Sequence, residues 1–124
     1  MHRAGLNVNN KGYIGINTST ANSPLTVNGS ISMPITSITG SITLNDTHYT
    51  VIANPPNALS SITLPINTDY RIKGRIYIIK NISIYTISIT GNGNTIDSSS
   101  SPYSLTATQR INIQNDGSNW WIIG

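Results

Sequence analysis

The apolar positions of this chain follow a strand rhythm. Arg110-Ile111-Asn112-Ile113-Gln114 alternates cleanly, which predicts a strand with one buried and one wet face. β-branched residues crowd every segment, good helix formers are scarce, and Gly, Pro, Asn and Ser recur at intervals of roughly 8 to 12 residues, a pattern of many short strands. Strands are predicted over residues 49–53, 61–64, 74–80, 82–90, 103–106, 109–114 and 119–123. Three of them break simple alternation. Ile76-Tyr77-Ile78-Ile79 is apolar on both faces. Ile82, Ile84, Ile87 and Ile89 change phase after Ile84, which predicts a β-bulge near Tyr85-Thr86 or burial on both sides. The last strand, Trp120-Trp121-Ile122-Ile123, also sends apolar side chains both ways. Chain ends fray unless something ties them down, so this one is expected to plug a core or a subunit contact.

Two regions differ in apolar content. Residues 1–42 form an N-terminal segment whose apolar side chains are sparse (Leu6, Val8, Ile14, Ile16, Leu25, Val27, Ile31, Ile35, Ile38), too few to offset the cost of ordering the chain alone. Residues 43–124 carry the richer strands and are expected to form a sandwich. A sandwich of this size has one interior. The surplus two-sided strands are then most simply covered by neighbouring copies in a closed homo-oligomer.

Composition narrows the chemistry. A chain of 124 residues is one domain plus at most a short extension. Cysteine is absent, so neither disulfides nor thiolate metal sites are available, which is compatible with assembly in a reducing cytosol. Charged residues are 9% of the chain, glutamate is absent, and the net charge of +3 is too small and dispersed to imply a nucleic-acid partner. No apolar run approaches the roughly 18 residues of a membrane helix, so no membrane insertion is expected.

Catalytic constellations are not evident. A glycosidase needs two carboxylates about 5 to 9.5 Å apart, and the carboxylates here are Asp46, Asp69, Asp97 and Asp116. Asp97 and Asp116 sit in turn contexts where aspartate caps local backbone N–H groups. His48 lies near Asp46, yet no serine stands in a nucleophile-elbow pattern. Gly91-Asn92-Gly93-Asn94 lacks the third glycine and following helix of a phosphate loop and reads as a turn. No enzyme, metal site or cofactor is expected.

Three places are candidates for ligand binding. Arg71, Lys73 and Arg75 alternate, so on an extended backbone they share one face, with Tyr77 nearby. This stripe serves either as an edge that resists aggregation or as a contact for acidic glycans. Two loops are the others: one centred on Asn54-Pro55-Pro56-Asn57, and one running from Asp97 through Ser99 to Tyr103, where Tyr103 would supply the aromatic platform beside hydroxyls that a sugar site needs.

The ending Asn115-Asp116-Gly117-Ser118-Asn119-Trp120-Trp121-Ile122-Ile123 resembles the closing hairpin of head domains on bacteriophage and viral tail fibres. Upstream, Gly12-Tyr13-Ile14-Gly15-Ile16-Asn17-Thr18 with Ser23-Pro24-Leu25-Thr26-Val27-Asn28-Gly29-Ser30-Ile31 is similar to a segment of fibre and tailspike shafts. The resemblance implies a short extended shaft segment, an antiparallel, jelly-roll-like β-sandwich head, and a homotrimer. It further implies a fibre tip on the virion surface, assembled in the host cytoplasm and joined to the rest of the fibre, that attaches to a host-surface glycan or protein receptor without catalysis. A purely structural fibre or capsid module that caps or trimerises the shaft stays open as the alternative.

Overall fold

The computed structural model describes residues 5–66 and 70–124. Among these residues the chain is all-β, with a short 3-10 turn at Tyr70–Ile72 and no α-helix. It divides into two compact units between Ser32 and Met33.

The first unit is a sheet of β1 (Leu6–Val8), β2 (Ile14–Ile16) and β3 (Leu25–Val27). β1 and β2 run antiparallel, with Leu6 opposite Ile16 and Val8 opposite Ile14. β3 runs parallel to β2, with Leu25 beside Ile14 and Val27 beside Ile16. Cross-strand partners lie on the same face and side chains alternate along each strand. Leu6, Val8, Ile14, Ile16, Leu25 and Val27 therefore form one continuous apolar face. Leu6, Val8 and Leu25 are 59, 65 and 62% exposed. Asn7, Gly15 and Thr26 occupy the other face, and the segment around Thr18 covers it. Asn7 Nδ2 donates to the Thr18 carbonyl at 2.9 Å. A Cβ added to Gly15 would lie 2.4 Å from that same oxygen, so only glycine fits there. The unit thus covers its small, polar face and leaves its apolar face open.

The second unit comprises β4 (Ile35–Ile38), β5 (Ile42–Thr43), β6 (Thr50–Ala53), β7 (Ser61–Thr63), β8 (Ile76–Asn81), β9 (Ile87–Thr90), β10 (Tyr103–Leu105), β11 (Arg110–Asn115) and β12 (Trp120–Ile122). They form two sheets, ordered β12-β11-β8-β6-β4 and β10-β9-β7-β5. β4, β6 and β8 lie parallel, Thr50 standing between Ile35 and Ile78. β5, β7 and β9 are likewise parallel, Ile62 standing between Ile42 and Ile89. The chain winds three times from one sheet to the other before it reverses. β10 then adds antiparallel to β9, β11 to β8, and β12 to β11.

The sheets are accordingly mixed, which corrects the antiparallel, jelly-roll-like arrangement that the resemblance implies. Alternation specifies which side chains share a face and carries no information on strand direction. The crossover that parallel pairing requires, commonly a helix, is supplied here by a strand of the opposite sheet. β4 and β5 pair with this unit, and Ile38 and Ile42 pack on its core, so the division falls at Ser32–Met33 rather than at residue 42.

One hydrophobic core lies between the two sheets. Val51, Ala53, Tyr77, Ile79, Ile111, Ile113 and Trp120 come from one sheet, and Ile62, Ile87, Ile89 and Leu105 from the other. Tyr77 and Trp120 meet with ring centroids 5.8 Å apart. Trp120 is fully buried, and among the described residues its Nε1 has no hydrogen-bond partner, so its contribution is packing alone.

The phase change after Ile84 has a definite cause. β8 ends at Asn81, and residues 82–86 form a loop in which Ile84 is 81% exposed, before β9 begins at Ile87. The fully buried Asn81 organises this loop. Its Oδ1 accepts from Ser83 N and Ser83 Oγ at 2.9 and 2.8 Å. Its Nδ2 donates to the carbonyls of Tyr85, Leu105 and Thr106 at 2.6, 3.0 and 3.2 Å. A polar side chain buried this deeply needs such partners.

Candidate functional site

The C-terminal hairpin builds a site that neither the basic stripe nor the loops anticipate. β12 places Trp120 inward, and period two then turns Trp121 outward, where it is 41% exposed. Gln114 is its cross-strand neighbour on β11, and Ile76 on β8 stands opposite Gln114. Around Trp121, the residues Lys73, Gly74, Gln114, Asn115, Asp116 and Ile123 complete a surface pocket of about 430 Å³. That falls within the range of small-molecule sites.

The indole is held in place from below. Trp121 Nε1 donates to Asp116 Oδ2 at 2.7 Å. Asp116 Oδ1 accepts from the backbone N–H groups of Ser118 and Asn119, both at 2.8 Å. The Asn119 N–H, the Trp121 indole and the Ser118 N–H lower the carboxyl pKa to about 2, so Asp116 is an anion throughout the physiological range. Gly117 turns the hairpin at a φ of 101°, and its N–H donates to Asn115 Oδ1 at 2.7 Å. A Cβ on Gly117 would touch the Lys73 stem at 3.3 Å, so a second residue type there would press on the pocket wall. Gln114 Nε2 donates to the Gly74 carbonyl at 3.1 Å, which leaves its Oε1 as an acceptor.

Asp97 holds the neighbouring residue. Its Oδ1 accepts from Ile122 N at 2.9 Å, a contact with a distant strand where sequence context predicts a local turn cap. The two turn aspartates thus both hold the last strand, and among the described residues lining the two pockets neither has another carboxylate beside it. Asp69 lies outside the described residues.

A second pocket of about 330 Å³ is lined by Met33, Pro34, Asp46, His48, Tyr49, Gly74, Arg75 and Ile76. His48 Nδ1 accepts from Asn45 N at 3.0 Å, which places the proton of the neutral ring on Nε2. Among the described residues no group of three His, Asp, Glu or Cys side chains could hold a metal ion. Among them, too, no helix is long and apolar enough to cross a membrane.

The expected basic stripe is not a strand face. Arg71 lies in the 3-10 turn, Lys73 and Gly74 form a turn with Gly74 at a φ of 89°, and Arg75 N bonds back to the Ile72 carbonyl at 2.9 Å. Extended backbone starts at Ile76. Lys73 consequently lines the Trp121 pocket, while Arg75 lines the second one. Tyr77 is removed from the candidates by burial. Its hydroxyl donates to the Asn45 carbonyl at 2.8 Å and accepts from Arg75 Nη1 at 3.4 Å. Burial raises its phenol pKa against the opposing pull of Arg75.

The loop candidates are dispersed as well. Asn54 is exposed, and Asn57 Oδ1 accepts from Leu59 N at 2.9 Å. Ser99 follows a tight turn in which Asp97 and Ser98 both have positive φ, and its Oγ accepts from Ser101 N at 3.2 Å. Tyr103 is half-buried against the core opposite Ile89, so its ring is a packing element more than a platform. None of these four lines either pocket. Of the eight candidates, Lys73 alone belongs to the Trp121 pocket. The sequence does not single out Trp121 as a ligand-binding residue, because the whole terminal strand is expected to plug a core or a subunit contact. Period two already required one of the two indoles to face out, but which one depends on the pairing of β12 with β11.

Comparison with family models, with curated proteins and with solved structures finds no match to this chain.

Proposed function

We propose that this chain is the tip of a bacteriophage or viral fibre, a homotrimeric attachment module that binds a host-surface glycan without catalysis. The observation that carries the reading is the half-exposed Trp121, held rigid by Asp116 over an open pocket on the outer face of the larger sheet. Exposing an indole forgoes much of the hydrophobic gain of burying it, and fixing its orientation is what prepares a surface for binding. The resemblance of the terminal hairpin to fibre heads, and of residues 12–31 to fibre shafts, supports the same assignment. On this reading the module is carried at the virion surface.

The alternative, a structural module that caps or trimerises a shaft, has its own support in the apolar face of the first unit. Five side chains there, Leu6, Val8, Ile14, Ile16 and Leu25, are exposed, and uncharged apolar faces of this kind mark contacts between chains. Both readings require association between copies. Light scattering on the full chain is expected to give three times the monomer mass, with a monomer at micromolar concentration refuting both. Attachment to host cells and to immobilised glycans then separates them: an attachment tip binds, and a structural cap does not.

A further inference from the structure

We propose that the Trp121 pocket is a subsite for one neutral pyranose ring, stacked through its C–H face on the indole. The proposal rests on the attachment reading above and names its ligand class and contact residues.

A pyranose presents one apolar face of C–H groups and a rim of hydroxyls. The pocket presents the complement. Trp121 and the 54% exposed Ile123 form an apolar floor, and both belong to the outward-facing side of the terminal strand. Around it stand a cation, Lys73, a free amide acceptor, Gln114 Oε1, and the carboxylate of Asp116. Hydroxyls can donate to the two acceptors and accept from the ammonium. The volume of about 430 Å³ admits a ring with its substituents.

Charge decides between neutral and acidic sugars. Among the described residues one cation and one carboxylate line the pocket, so they offer no net positive charge to a carboxylated sugar. Arg75, the next cation along the chain, lines the other pocket, separated by the turn at Gly74. The carboxylate that holds the indole would repel an anionic ligand placed on it.

The same charges argue against a protein occupant. A partner chain lying flat on Trp121 would strip water from Lys73 and Asp116, and burying an imperfectly paired charge is expensive. A single sugar ring covers the floor and leaves the rim wet. Rigidity favours a small ligand too, because the indole loses little freedom on binding. A single ring held this way binds on the order of millimolar, and repetition of the site on an oligomer would raise the effective affinity.

The test is a titration of the full chain with methyl glycosides. Neutral hexosides and N-acetylhexosaminides form one panel, and glucuronides and sialosides the other, read by saturation-transfer NMR and by tryptophan emission. At least one neutral glycoside is expected to bind, with a blue shift of the exposed indole and little dependence on salt. Trp121→Ala should lower its affinity about tenfold or more, Trp121→Phe should retain part of it, and Asp116→Asn should fall between wild type and Trp121→Ala. Thermal melts of the three variants near that of wild type ensure that loss of binding is not loss of fold, and Trp121→Phe serves where Trp121→Ala melts early. Binding of acidic glycosides alone, or neutral binding indifferent to all three substitutions, overturns the proposal. Host-cell attachment that survives Trp121→Ala overturns the site and leaves the attachment reading intact. Absence of both glycoside and cell binding by the wild-type chain overturns the two together.

Discussion

The two units of this molecule use the same alternating pattern to opposite ends. In the second unit, the apolar sides of two sheets face each other, and Val51, Tyr77, Ile79, Ile89, Ile113 and Trp120 are buried almost completely. In the first, Leu6, Val8, Ile14, Ile16 and Leu25 are aligned just as regularly and are all exposed. Period two defines a face; a second layer is what buries it. The second unit supplies that layer from its own chain because its strands alternate between the two sheets from β4 to β9. The three short strands of the first unit cannot, since the segment around Thr18 covers the wrong side. The contrast recurs on a smaller scale in Trp120 and Trp121, adjacent indoles of which one is core and the other surface.

The strongest test of this contrast is in that pair. Trp120→Ala is expected to cost about 3–5 kcal/mol, as truncation of a large core side chain does, whereas Trp121→Ala should cost less than about 1 kcal/mol. Denaturant unfolding of the two variants measures both, and equal losses would show that Trp121 is covered too. Trp120→Phe should be much milder than Trp120→Ala, because no hydrogen bond of Nε1 is lost.

Next in size is Asn81. Replacement by leucine strips the Tyr85, Leu105 and Thr106 carbonyls and Ser83 of their partner and is expected to cost about 3 kcal/mol, since buried polar groups left unpaired are heavily penalised. A melting temperature within a degree or two of wild type would mean that water substitutes for the amide.

A charge on the open face separates the units. Ile16→Asp should abolish association, read as a fall of mass in light scattering, and should change the melting of the second unit by less than about 0.5 kcal/mol. Unchanged mass would mean that the face is not the contact between copies.

The smallest effect concerns pH. Asp116 has a folded pKa of about 2 against its ordinary 3.8. A group with a depressed folded pKa stabilises fully above its unfolded value, and that stabilisation is lost as pH falls through the folded one. The hairpin should therefore hold its geometry down to about pH 4 and loosen between pH 4 and 2, followed by the NMR shift of the Trp121 indole N–H. Asp116→Asn should flatten that profile.

Much of this fold was legible beforehand. The all-β class follows from residues that favour extended backbone at nearly every position, and the alternation of 110–114 named its buried side chains correctly. The outward-facing strands were legible as a surplus of apolar residues. Strand direction was not, because parallel and antiparallel neighbours demand the same alternation. Nor was the break at residues 82–86, where Asn81 competes for the backbone with its own side chain. The basic stripe failed for a related reason: the 3-10 turn at Arg71 and the turn at Lys73-Gly74 stand where an extended backbone would have aligned three cations.

What the sequence determined by itself is which side chains share a face, since that depends only on backbone geometry within a strand. Which face is covered, by which strand and in which direction, belonged to the tertiary structure. Those are relations between segments distant along the chain. Trp121 became a candidate platform through its register against Gln114 and its bond to Asp116, and only the folded hairpin brings these together.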